Sequence, residues 1–95
     1  MPTLPEDWEA RLIAIAFDSG VTAWFLEPND AAISKYVRGE PRDLEWIRAG
    51  LAAGILSLPR IEYRLRETIM ETDERVRAKR AFAEDLAQFG PNDDE

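Results

Sequence analysis

The sequence predicts an α+β domain in which a two-stranded hairpin packs against three to four helices. Three observations carry that expectation. Residues 12–17 form a short apolar run rich in strand formers, then come Asp18-Ser19-Gly20 and a second such run over 21–26, the pattern of two strands around turn chemistry. From Glu27 onward the apolar residues instead recur three and four apart, the period of a helix. The 95 residues, 45% of them apolar, suffice for one modest core.

In chain order, Pro2 and Pro5 preclude a regular helix at the start, while Glu6 and Asp7 suit the first turn of a short helical segment over 6–11. In the hairpin, Val21, Ala23 and Phe25 fall on one face and Thr22, Trp24 and Leu26 on the other, so both faces are expected to be partly covered. Asn29 or Asp30 is the expected cap of a first long helix running to about residue 37. Gly39 suits a left-handed helix end and Pro41 the first turn of a new helix, which makes 38–42 a tight corner. The next helix, about 42–53, presents Leu44, Ile47 and Leu51, with Trp46 one turn round, and Gly54 ends it. Ser57 caps a third helix over about 58–68 that buries Ile61 and Leu65. Thr72 or Asp73 caps a last helix to about 89, with Ala78, Phe82, Leu86 and Phe89 in one stripe and Gly90-Pro91 as the stop. One domain over 1–90 and an acidic, solvated tail at 91–95 are expected.

Composition narrows the chemistry. The chain has no cysteine and no histidine, which removes thiolate nucleophiles, disulfides, imidazole bases and Cys/His metal sites. No catalytic residue, metal ligand or cofactor is assigned. No apolar run approaches the roughly 20 residues of a membrane span and no charged-then-apolar leader precedes the domain, so a cytoplasmic protein without membrane contact is expected. A net charge of −7 with a pI near 4.6 disfavours nucleic acid as a partner, because phosphates meet repulsion over most of the surface. Seven of the twelve basic residues, Arg60, Arg64, Arg66, Arg75, Arg77, Lys79 and Arg80, cluster in one stretch. Glu62, Glu67, Glu71, Asp73 and Glu74 are interleaved with them at helical spacing, so a self-neutralising face is expected.

Charged residues also concentrate at the strand end and helix corner: Glu27, Asp30, Lys35, Arg38, Glu40, Arg42 and Asp43. Each has a structural use as a cap, a solvated cation or a first-turn acid. Taken together, Glu27-Pro28-Asn29-Asp30-x-x-x-Ser34-Lys35-x-x-x-Gly39-x-x-Arg42-Asp43-Leu44, after the strand at 21–26, resembles the second half of a bacterial family of nucleotidyltransferase-like proteins. A similar pattern occurs in the nucleotidyltransferases of abortive-infection and toxin–antitoxin systems. The likeness runs over about 4–65. It implies a fold like the carboxyl-terminal part of a nucleotidyltransferase domain. In complete members it also implies a Gly-Ser or Gly-Gly turn that grips the triphosphate and an Asp-x-Asp or Asp-x-Glu pair that binds a divalent metal. The Asp-Ser-Gly turn at 18–20 is followed by no acidic pair on a strand. What the resemblance carries over is limited to Asp30, Lys35, Arg42 and Asp43, with Glu27 a weaker candidate. In this scheme Lys35 contacts phosphate, and Asp30 or Asp43 orients it or supports the metal site.

The chain then reads as a non-catalytic nucleotidyltransferase-like fragment that works within a larger assembly and completes no catalytic cycle alone. The alternative is a stand-alone acidic interaction module, antitoxin-like or a phage-encoded inhibitor. Both imply a protein partner or a homodimer, with Trp8, Phe82, Leu86 and Phe89 as interface candidates. The tryptophans Trp8, Trp24 and Trp46 are otherwise expected to fill the core, Trp8 being the first to be excepted.

Overall fold

A computed structural model of the chain describes residues 3–91. A single 3₁₀ turn, Trp8–Arg11, leads into strands β1, Ile13–Ala16, and β2, Thr22–Phe25. Four helices follow: α1, Pro28–Arg38; α2, Pro41–Ala52; α3, Leu58–Arg66; and α4, Thr72–Phe89. The architecture is therefore α+β, as the apolar periodicities predict. The acidic tail expected over 91–95 lies, apart from Pro91, outside the described residues.

The strands pair antiparallel, with Ile13 opposite Phe25 and Ile15 opposite Ala23. Phe17 N–H donates to Val21 O at 2.8 Å, which carries the ladder one pair past β1. Gly20 sits at φ 90°, a conformation that glycine enters without a Cβ clash. One expectation fails here. The strand residues of both faces are exposed to solvent, apart from the half-buried Ala23, and the faces are not covered. Trp24 is 64% exposed and Trp46 41%, so neither tryptophan fills the core. Four-residue strands give this hairpin too little area to bury itself against the helical body.

The core belongs to the helices. α1 lies at its centre, packing on α2, α3 and α4 through Ala32, Ile33, Tyr36 and Val37, the i, i+1, i+4, i+5 face of a helix. Ile47 from α2, Ile61 and Leu65 from α3, and Ala78, Ala81 and Phe82 from α4 close around it. Each fully buried isoleucine contributes on the order of 1.5–3 kcal/mol through loss of apolar surface. Tyr36 meets Phe82 edge to face, with centroids 6.0 Å apart. Phe82 thus points inward, into the core. Phe89 is partly buried against the same core, Leu86 is exposed and Trp8 half-buried.

Two caps differ from expectation for one reason. Glu27 caps α1, its side chain accepting the amides of Asn29 and Asp30 at 3.1 and 3.3 Å. Pro28 takes the first helical position, where its missing N–H costs nothing. The longer glutamate reaches round the turn, and Asn29 and Asp30 are left to point inward. At α4 the cap is Glu71, whose amide donates to the Glu74 carboxylate at 3.0 Å. Ser57 caps α3, as its hydroxyl predicts. Gly39, at φ 68°, ends α1 in the left-handed conformation.

Candidate functional site

The charged residues singled out in the sequence divide between the two ends of α1. At eleven residues this helix is about 16 Å long, so the groups form two sites.

At the amino-terminal end Asp30 is fully buried. Its carboxylate is held by both nitrogens of an Arg11 fork, Nε at 2.8 Å and Nη2 at 3.0 Å, the bidentate geometry that suits arginine. Arg64 from α3 approaches Asp30 at 3.5 Å and donates to Glu27. Asn29 accepts the amide of Ser57 at 2.8 Å. These contacts tie α1 to the 3₁₀ turn, to α3 and to the loop before α3. Burial alone raises the Glu27 pKa, but the Asn29 amides and Arg64 outweigh it, and the group lies below the usual glutamate range. The Arg11 guanidinium is raised, first by its hydrogen bond to Asp30 and against the opposing effect of burial. A cleft of about 420 Å³ opens beside this cluster, lined by Glu6, Asp7, Arg11, Arg60, Tyr63 and Arg64 among others. Its lining charges are mixed in sign.

At the carboxyl-terminal end the corner into α2 is built on Asp43, also buried. It accepts Arg38 Nε at 2.8 Å, Arg38 Nη2 at 2.5 Å and the amide of Glu40 at 3.1 Å. Lys35 Nζ stands 3.9 Å from the same carboxylate and 4.8 Å from the centroid of Trp46, a cation–π distance. The Arg38 hydrogen bond, opposed by burial and helped by the Glu40 amide, holds Asp43 down to about 2. Arg42 takes no part in this cluster. It is 75% exposed and pairs at 3.3 Å with Glu40 at the surface, where an ion pair is worth only a fraction of a kcal/mol. Beside Lys35 lies a cleft of about 700 Å³ lined by Ser34, Lys35, Arg38, Glu74 and Arg77, with Thr3 and Val37. Among the described residues, three cations and one acid border it. Arg77 is anchored there by donating to Val37 O at 3.1 and 3.3 Å, one of the carbonyls that a helix end leaves free.

A third cluster was not anticipated. Asp85 of α4 is fully buried, accepting the Tyr36 hydroxyl at 2.6 Å and Arg48 Nε at 2.8 Å. Burial first, and then the Asp85 carboxylate, push the Tyr36 phenol far above its ordinary value. The signal was present in the sequence: Asp85 stands three residues after Phe82 and seven after Ala78, on the same inward face.

The basic stretch 60–80 also behaves differently from expectation. Among the described residues its arginines form no ion pair with the interleaved acids. Arg64 reaches Glu27 and Asp30. Arg75 donates to the carbonyls of Leu65 and Thr68, and Arg77 to that of Val37. Backbone carbonyls freed at helix ends outcompete side chains on the same helix face.

These carboxylates do not fit a divalent-cation site. Both oxygens of Asp30, Asp43 and Asp85 are already taken by arginine, tyrosine or backbone donors. Among the described residues no three acidic side chains converge on one point. What the arrangement offers is cationic: fixed positive groups beside an open cleft. Among the described residues no helix is long and apolar enough to cross a membrane.

No curated protein and no solved structure matches the chain. A family model does, over residues 1–89, so that its match includes α4, which the resemblance over 4–65 left out. The chain belongs to that family, described as "Nucleotidyltransferase of unknown function (DUF6036)".

Proposed function

We propose that the chain is the carboxyl-terminal, non-catalytic part of a nucleotidyltransferase-like assembly, completed by polypeptide that carries the phosphate-gripping turn and the metal-binding acidic pair. The observation that carries this reading is the hairpin. A two-stranded sheet with exposed apolar side chains on both faces and no third strand among the described residues is marginal by itself. Such a sheet is suited to being extended.

The cleft beside Lys35 supports the contribution this part makes. Lys35 contacts a phosphate group there and Asp43, 3.9 Å away, orients it, while Arg38 and Arg77 lower the cost of bringing the negative charge in. Asp30 and Glu27 hold the other end of α1 in place, and Arg42 stays outside the cleft, paired with Glu40. The likeness to nucleotidyltransferases of abortive-infection and toxin–antitoxin systems supports defence as the setting.

Calorimetry with MgATP tests the proposal. The chain alone should show no binding tighter than millimolar. Together with a polypeptide bearing the Gly-Ser turn and the Asp-x-Asp pair, binding should appear and be lost in Lys35→Ala. Millimolar or tighter binding by the chain alone would sink the idea that it is inert by itself.

The exposed Trp24 favours a second reading, an acidic interaction module that uses the hairpin to hold another protein. If a pull-down from the native host recovers no stoichiometric protein, that reading is lost.

A further inference from the structure

One face of the hairpin is apolar throughout. Ile13, Ile15, Phe17, Val21 and Phe25 all project from it, each 41–59% exposed, because the pairs Ile13 with Phe25 and Ile15 with Ala23 stand side by side and Phe17 bonds to Val21 at the tip. The opposite face carries Ala14, Ala16, Thr22 and Trp24. The first face offers on the order of 400–500 Å² of apolar surface per copy, about the size of the largest patch a monomer leaves open. Two such faces together bury roughly 800–1,000 Å², which sits at the lower bound for a specific interface and suits a weak, concentration-dependent dimer.

Charge decides which occupant fits. The chain carries a net charge of −7, so most encounters between two copies place acids against acids. Residues 12–26 hold a single charged side chain, Asp18 in the turn at the hairpin tip. Here two copies meet without opposed like charges, and the lack of any cation on the face gives a charged foreign partner nothing to pair with. A two-fold axis through the middle of the face lays the Phe17 and Val21 tip of one copy on the Ile13 and Phe25 base of the other. At the centre Ile15 then meets Ile15 of the second copy, with the small Ala23 beside it on the neighbouring strand.

We propose that the chain forms a homodimer by packing this hairpin face on the same face of a second copy. The interface is isologous, as closed two-fold dimers are. It covers a face and leaves the outer strand edges free, so it is compatible with the sheet extension proposed above and does not depend on it.

Sedimentation velocity on the full chain, without nucleotide, from about 1 to 200 µM tests this. The expected result is a shift from 10.8 kDa to twice that mass with rising concentration. Ile15→Lys should weaken it at least tenfold, and Phe25→Ser should do the same if the lysine variant folds poorly by far-ultraviolet circular dichroism. Leu86→Lys on α4 should leave it unchanged. Monomer mass at every concentration, dimers that survive both hairpin substitutions, or dimers lost in Leu86→Lys would each overturn the proposal. None of these outcomes bears on the MgATP experiment, which fails or succeeds with the completing polypeptide.

Discussion

The helical body and the hairpin solve opposite problems. The body takes three carboxylates out of water, Asp30, Asp43 and Asp85, and supplies every one of them with donors. Among the described residues no buried side-chain polar atom lacks a partner. The hairpin carries a single charge, Asp18 at its tip, and little polarity, yet leaves its apolar side chains in solvent. The first arrangement is self-sufficient, since a buried charge is tolerated only when its partners are fixed in place. The second is stable in that form only if another surface covers it.

The contrast breaks most visibly at Asp30. Asp30→Ala strands the Arg11 guanidinium, leaves Arg64 with Glu27 alone, and should cost about 3 kcal/mol in urea unfolding. A loss below about 1 kcal/mol would mean that solvent, and not the carboxylate, satisfies Arg11. Tyr36→Phe keeps the edge-to-face contact with Phe82 but removes a donor from buried Asp85, for an expected cost of about 1–2 kcal/mol. Gly50→Ala should cost about 1 kcal/mol, because the new Cβ would lie 2.8 Å from two carbons of buried Leu56. That overpacking outweighs the gain in helix propensity. On the hairpin, Trp24→Ser should change the stability of the monomer by less than about 0.5 kcal/mol. A larger loss there would show that the hairpin is supported by the helical body after all.

The same contrast predicts the pH profile. Asp43, held down to about 2 in the fold, stabilises above the ordinary carboxylate range, and that contribution disappears as pH falls from about 4 toward 2. Tyr36 is raised, so its contribution is complete below about pH 10 and is lost as pH climbs beyond it. Thermal unfolding should therefore show a plateau between these limits. Asp43→Asn should flatten the acid limb and leave the alkaline one in place, whereas an acid limb of unchanged depth in that variant would assign it to other carboxylates.

Much of the body was legible because its signals are local. Gly39 and Pro41 mark the corner, Ser57 marks a cap, and Ile47, Ile61 and Leu65 fall at helical spacing. The caps at Glu27 and Glu71 were missed because a glutamate reaches a helix start only when the backbone brings it round, and shorter polar residues stood nearby. Of the candidate site, Lys35 and Asp43 do come together, and Asp30 and Glu27 share Arg64. Arg11, Arg48 and Arg64 could not be assigned to partners, since their partners lie 19 to 37 residues away in sequence. The exposure of Trp24 and Trp46 was illegible for a related reason: an apolar side chain announces that it wants cover, not whether the same chain supplies it.

Hydrogen exchange on the chain alone tests the division between the two regions most directly. At low micromolar concentration the amides of α1 should exchange at rates set by global unfolding. Those of β1 and β2 should exchange many times faster, gaining protection only as concentration rises or a completing polypeptide is added. Strand amides as slow as those of α1 in the dilute monomer would contradict the account.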